Sequence, residues 1–208
     1  MSLLITKIIR QKKNNNRYSL MSGEEFIIGI ADETMIEFNI HPGMQLSEKT
    51  LDKLKKKENI VALKEQAWRF LARREHSTKE LSDKLLHKNF SPADVKFIIE
   101  DLINKDYLNN TRFARQLINE EITLKRNGPR LIKANLLKKG IDMSVTDELL
   151  AEIYPENRQS ENCHWLAGKK LNSLVQLEPE KQKKRLADFL NRKGFTWEII
   201  SRVIGELI

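Results

Sequence analysis

The chain of 208 residues is short of cysteine, glycine, proline and aromatic residues. Its single cysteine, Cys163, cannot close an internal disulfide, which fits a reducing compartment and a cytoplasmic location. No run of 18 apolar residues occurs, so no transmembrane helix is predicted. The opening "MSLLITKIIRQKK" holds too short an apolar stretch for a secretion signal, with its charge on the wrong side. The four histidines, at 41, 76, 87 and 164, show no metal-binding spacing. Glycine-rich phosphate loops are missing as well; "KNFSPAD" and "KKGIDMS" read as turns. Cys163 and His164 are neighbours on a predicted helix and point about 100° apart, so they cannot act as a nucleophile–base pair. Cys163 is expected to pack in a core. Paired carboxylates such as Glu120 and Glu121 are expected on a solvated helix face. No catalytic, cofactor or metal site is predicted, and the chain does not read as an enzyme.

What the chain has in excess is positive charge. The formal net charge is +8, with 32% charged residues. Residues 1–46 hold five Lys/Arg and five Asp/Glu, so the whole excess lies in 47–208, with 32 basic and 24 acidic residues. Such an excess is either a solubilising surface or an electrostatic footprint for nucleic acid or an acidic partner.

Residues 1–46 read as a small β region. "LLITKIIR", "RYSLM", "EFIIGI" and "TMIEFNI" are short β-branched or aromatic runs, separated by "QKKNNN", Ser22-Gly23 and "ADE". Four strands in so short a span would be marginal alone and should lean on the helical part of the chain. From Ser47 the pattern becomes helical, opening on a capping serine, and no glycine occurs between Gly43 and Gly128.

The helical part repeats itself. "KLLHKNF" at 84–90, "NLLKKGI" at 135–141 and "FLNRKGF" at 189–195 share one shape. Aligning Asn89, Gly140 and Gly194 puts apolar residues in register across all three copies. Leu81, Ile132 and Leu186 coincide, as do Leu85, Leu136 and Leu190, and Phe90, Ile141 and Phe195. Downstream, Ile98, Leu149 and Val203 match, then Ile99, Leu150 and Ile204, then Leu102, Ile153 and Leu207. Six columns without an internal gap define a repeat. Each copy carries an upstream helical stripe as well: Leu63, Ala67, Phe70 and Leu71; Phe113, Ala114, Leu117, Ile118 and Ile122; Cys163, Leu166, Ala167, Leu171 and Leu174. The unit is therefore three helices. The predicted fold is mainly α: three tandem three-helix repeats making an elongated curved body, after a small β-hairpin-like region. Boundaries are placed at 1–46 (β), 47–60 (linking helix), 61–108, 109–156 and 157–208.

The shared phrase is a helix stop. Leu85, Leu136 and Leu190 are the last buried anchors of the second helices, and Lys88, Lys139 and Lys193 lie at the negative end of the helix dipole. Asn89, Gly140 and Gly194 take the left-handed stop position, so both glycines should have positive φ. Ser77 with Glu80, and Gly128-Pro129, open the second helices. Ser91-Pro92, Asp142 and Thr196 open the third.

The basic residues cluster at matching places. Lys125, Arg126, Arg130, Lys133 and Lys138 crowd one helix–turn–helix, with Lys139 beside them; Arg73 and Arg74 fall at the corresponding turn of the first unit, and "EKQKKR" supplies Lys181, Lys183, Lys184 and Arg185 in the third. A solenoid sets equivalent positions of successive units on one side, so these twelve are the candidate binding residues for DNA or a partner. The alternative is that they only keep a helical surface in solution.

Three stretches, "AWRFLARREHSTKELSDKLLHKNF", "YLNNTRFARQLINE" and "KRNGPRLIKANLLKKGI", resemble the RecX regulatory proteins. The run from Ala67 through Leu71-Ala72-Arg73-Arg74 and Ser77 to Glu80-Leu81 is the most specific piece. At Asn110 the family often has Asp. The resemblance covers 60–208 well; 1–46 resembles the extension of longer members. It implies a non-catalytic regulator that binds the RecA recombinase filament on DNA, lies in its groove, and limits strand exchange, ATP hydrolysis and coprotease activity; the chain is expected to be a monomer. Weak, sequence-indifferent binding to single-stranded DNA goes with that reading. A stand-alone helical DNA-binding regulator remains the alternative, because "GPRLIKANLLKKGIDMSVTDELL" also passes for a helix-turn-helix.

Overall fold

The computed structural model describes residues 2–12 and 14–208; Met1, at the head of the β region, and Lys13, inside the predicted "QKKNNN" turn, lie outside them. The chain parts into two compact units. One holds the residues up to Arg73 together with Asp83–Asp101; the other holds Arg74–Ser82 and Leu102–Ile208.

In the first unit, strand β1 (Ser2–Leu4) pairs antiparallel with β5 (Gln45–Ser47). A separate three-stranded antiparallel sheet runs β2 (Lys7–Arg10), β3 (Arg17–Ser22), β4 (Glu25–Ala31). The β3–β4 hairpin turns at the predicted Ser22-Gly23, where Gly23 has φ 61°. Two expectations fail here. "LLITKIIR" is not one strand: Ile5 is fully buried between β1 and β2, and the two halves join different sheets. The fourth predicted strand, "TMIEFNI", is instead helix α1 (Asp32–Glu37) and the turn after it. Asp32 and Glu33 in the first turn favour a helix start. Thr34, Met35 and Phe38 then fall on one helical face and pack on the β core, while Asn39 ends the helix at φ 48°.

Helix α2 (Glu48–Leu71) opens as predicted on Ser47, whose Oγ accepts from the Thr50 amide at 3.1 Å. It passes position 60 without a break, since it contains neither glycine nor proline. The β region does lean on it. Leu54 completes the core of Ile5, Leu20, Ile30, Ile40 and Leu46. Glu58, only 6% exposed, receives Arg17 Nη2 on one oxygen at 2.7 Å and the Ala31 amide on the other at 2.9 Å. A buried carboxylate so satisfied ties sheet to helix, and removing it would strand two donors.

Eight further helices complete the chain: α3 (Thr78–Leu86), α4 (Pro92–Asn104), α5 (Asn110–Thr123), α6 (Pro129–Lys138), α7 (Met143–Ile153), α8 (Glu156–Leu171), α9 (Pro179–Arg192) and α10 (Trp197–Leu207). The chain is mainly helical, as three three-helix domains after the β region. The aligned columns supply most of the core, with Phe90 and Ile204 only partly buried. Leu81, Ile132, Leu186, Leu85, Leu136 and Leu190 have no exposed surface. A seventh column, Val95, Thr146 and Ile200, is equally buried; Thr146 hid it from a search for apolar matches. Truncating any of these leucines to alanine costs about 2–5 kcal/mol. The last column loosens: Leu102 is buried, but Ile153 and Leu207 only partly.

The stop positions carry the expected backbone: φ is 63° at Asn89, 75° at Gly140 and 87° at Gly194. The Ile141 amide reaches back to the Leu136 carbonyl at 3.1 Å, and Phe195 to Leu190 at 3.3 Å, the six-residue closure of a left-handed helix end. Ser91 caps α4 through the Asp94 amide at 3.1 Å, whereas Asp142 and Thr196 stand at the N-cap positions without a side-chain capping bond.

Within the second unit the stops have a further job. The Gly128 amide, at the head of α6, donates to the Lys193 carbonyl at 2.7 Å, and the Arg130 amide donates to the Gly194 carbonyl at 3.0 Å. A Cβ on Gly194 would fall into the backbone of Leu131. One repeat earlier the same joint recurs: Ser77 Oγ donates to the Lys139 carbonyl at 2.7 Å, and a Cβ on Gly140 would sit 2.8 Å from Lys79 Cβ. The positive head of one second helix thus meets the negative tail of the next repeat's second helix. Asn89, at the stop of the first repeat, is exposed, and there a side chain is tolerated.

Candidate functional site

The twelve candidate cations divide by what they touch. Arg73 is exposed and belongs to the first unit. Arg74, Lys125, Lys138 and Lys139 line a single groove of about 470 Å³, together with Glu75, Glu80, Glu120 and Glu121. Three of these cations are already bound to carboxylates. Arg74 grips Glu80 with two bonds of 2.7 and 3.0 Å, and Lys139 Nζ adds a third at 3.1 Å. Lys125 Nζ lies 2.8 Å from Glu121. Lys133 pairs with Asp147 at 2.5 Å and Lys183 with Glu180 at 3.6 Å. Arg126 lies over the Trp165 ring. Arg130 and Lys138 on α6, and Lys181, Lys184 and Arg185 on α9, stand at the surface, and among the described residues no carboxylate lies within salt-bridge distance of them.

Glu121 corrects the expectation of a solvated acidic pair. Glu120 is exposed, but Glu121 is 2% exposed. Burial opposes its ionisation, yet bonds from Lys125, Asn127 (2.5 Å) and Asn135 (3.2 Å) outweigh that and hold its pKa below the ordinary carboxylate range. Asn127 also accepts from Lys193 Nζ at 3.2 Å, so the group sits beside the repeat joint.

Glu80 is held lower still. The Arg74 guanidinium, opposed by burial and helped by Lys139, takes its pKa from 4.5 to about 2. Because the folded pKa is depressed, the stability it contributes is present above about pH 4.5 and is lost as pH falls toward 2. Allowing for solvent around the half-exposed cations, that is roughly 1–2 kcal/mol. Glu80→Gln should therefore lower stability at pH 7 by about that much and flatten the stability curve between pH 4.5 and 2. Urea unfolding at both pH values reads it; an unchanged pH dependence would remove the assignment.

Cys163 has no exposed surface, and burial pushes its thiol up to about 12. Among the described residues no cluster of His, Cys, Asp and Glu is arranged to hold a metal ion, and no helix is long and apolar enough to cross a membrane.

The comparisons with known proteins agree along the chain. Residues 3–47 match the regulatory protein RecX N-terminal domain, and 64–102, 109–150 and 158–204 match the first, second and third RecX three-helix domains in that order. The chain belongs to the RecX family. A "Regulatory protein RecX" of Clostridioides difficile (strain 630) is 29% identical over 205 residues, covering 99% of this chain and 96% of that protein. One of Clostridium tetani is 29% identical over 206 residues, covering 98% and 94%. The crystal structure of RecX from Lactobacillus salivarius aligns with a TM-score of 0.65 at 28% identity, over 73% of this chain and 97% of that one. A second RecX crystal structure aligns over 98% of both chains with a TM-score of 0.75 at 20% identity, a likeness of fold. A regulatory role follows from the family.

Pattern reading missed Trp165 and Asn162, which hold Arg126, and Lys169, which lies over the same Trp165 ring. The available signal was "NCHWLAGKK", where Trp165 and Lys169 stand one helical turn apart.

Proposed function

We propose that the chain is a non-catalytic regulator that binds the RecA recombinase filament on DNA and restrains its strand exchange, ATP hydrolysis and coprotease activity. Membership of the RecX family supports this reading. The observation that carries it further is the set of surface cations on α6 and α9, Arg130, Lys138, Lys181, Lys184 and Arg185, in a chain whose whole charge excess lies in 47–208. Surface charge unspent on internal ion pairs is available to phosphates and acidic protein. Arg73 joins this contact set. Arg74, Lys125, Lys133, Lys139 and Lys183 contribute a weaker share, because engaging a partner must compete with their carboxylates. The chain acts as a monomer on this reading, and binds free single-stranded DNA weakly and without regard to sequence.

A stand-alone duplex-reading regulator fits less well, because the helix–hinge–helix recurs in all three repeats and serves their packing. Adding the protein to RecA, single-stranded DNA and ATP separates the two. Inhibition of ATP hydrolysis at substoichiometric amounts is expected. Full ATPase activity at an excess of protein, together with sequence-specific duplex binding, would favour the alternative.

A further inference from the structure

Arg126 is not an ordinary surface charge. Its backbone is left-handed at φ 51°, a conformation that favours glycine. The bend lays its guanidinium over the indole of Trp165, 4.4 Å from the ring centre, while Nη1 donates to Asn162 Oδ1 at 2.7 Å. Asn162 is 4% exposed, and its own amide donates to the Ile122 carbonyl and the Tyr154 hydroxyl, each at 3.1 Å. The cation is thus fixed from beneath by a buried amide. Lys169, one turn along α8, brings a second cation to 5.2 Å from the same ring. Trp165 nevertheless keeps 47% of its surface open. Beside it lies a cleft of about 580 Å³ whose lining includes His164, Trp165 and Arg202 and also the carboxylates of Glu161 and Glu206. In the first repeat the position of Arg126 is taken by Glu75, so the arrangement is not a routine part of the repeat.

A half-exposed indole with a guanidinium laid over it and an ammonium 5.2 Å from its centre offers π-surface and positive charge together, the chemistry that suits an unpaired nucleotide. The base has a π-face to stack, and the phosphates on either side need positive charge. We propose that Trp165, Arg126 and Lys169 form a stacking site for one base of a single-stranded nucleic acid. The indole holds the base and the two cations hold the flanking phosphates. Because Glu161 and Glu206 line the cleft, the phosphates are assigned to the Arg126 and Lys169 side of the ring. Stacking tolerates any base, so the site has no sequence preference. The proposal deepens the filament reading by naming where this chain touches the strand.

The full-length protein with Trp68→Phe and Trp197→Phe leaves Trp165 as its single tryptophan. Titration with dT12 should quench its fluorescence to a plateau. In anisotropy with labelled dT12, Trp165→Ala should weaken binding about tenfold and Trp165→Phe by only about two- to threefold. Lys169→Ala should lower the salt dependence, with far-UV dichroism unchanged in every variant. A 12-mer of abasic sites should bind through charge without the quench. The proposal is overturned by a saturated complex that shows no quench, by Trp165→Ala binding as tightly as the parent, or by poly-glutamate quenching as dT12 does. The last result would make an acidic polypeptide the occupant. No RecA is present, so a failure here leaves the filament reading standing. Lost RecA inhibition with the quench intact would strike that reading alone.

Discussion

Gly194→Ala is expected to destabilise the protein by about 3–4 kcal/mol, an unusual cost for one methyl group. Left-handed backbone penalises a side chain by about 1–2 kcal/mol. At φ 87° Gly194 also lies against the Leu131 backbone, so the added carbon must push α9's tail from α6's head. That strains the Gly128–Lys193 and Arg130–Gly194 bonds, each worth about 1 kcal/mol. Gly140→Ala meets the Cβ of Lys79 at 2.8 Å, a carbon fixed to its own backbone, so it too forces a shift; but it enters no backbone atoms, and about 2–3 kcal/mol is expected. For a chain of this size the difference is a gap of a few degrees in melting temperature, roughly 2–4 °C per kcal/mol. Thermal melts by circular dichroism compare the two directly. Equal melting temperatures would show that the joint between repeats contributes little and only the helix stop matters.

The second large effect concerns binding. Reversing Lys138, Lys181, Lys184 and Arg185 to glutamate should lower the slope of log K against log salt, for single-stranded DNA, by roughly two to three. Each phosphate neutralised on a single strand adds about 0.7 to that slope. At 0.1 M salt a loss of three contacts is about a hundredfold in affinity by the same relation. Reversing Lys125 and Lys133 should change the slope less and stability more. Glutamates there would face Glu121 and Asp147 in place of 2.8 and 2.5 Å ion pairs. Filter binding across a salt series reads the slopes, and urea unfolding reads the stabilities. Should the two pairs of effects be exchanged, the division between structural and binding cations is wrong.

That division was not visible in the sequence, and the reason is physical. Apolar columns at fixed offsets of 51 and 54 residues reveal a repeat because burial demands similar side chains at similar places. The three helices per repeat, the stop at Gly140 and Gly194, and the buried Cys163 were all legible through that demand. Polar partnerships leave no such trace. Glu121 and Glu120 look alike in sequence, yet only one turns inward to Lys125, Asn127 and Asn135. Glu80 reads as half of a capping box, while its carboxylate binds Arg74 and Lys139. The joint between repeats is made largely by main-chain atoms, which any residue supplies, so only its glycines hint at it. Asn110 shows the same point: its Oδ1 accepts from the Thr78 amide at 2.8 Å, a task Asp performs equally well. In the next repeat the residue matching Thr78 is Pro129, which has no amide to satisfy. In the β region, "TMIEFNI" alternated well enough to pass for a strand. Burial of Thr34 with Met35 and Phe38, and the acidic first turn, decided for a helix.

The most direct test of the central claim is sedimentation of the protein with RecA filaments assembled on single-stranded DNA with a slowly hydrolysed ATP analogue. The protein should pellet with the filaments in saturable fashion, at far lower concentrations than with naked DNA or with unassembled RecA, and the charge-reversed variant should remain largely in the supernatant. Equal pelleting with naked DNA and with filaments would contradict the account, because the protein would then be reading the strand and not the assembly.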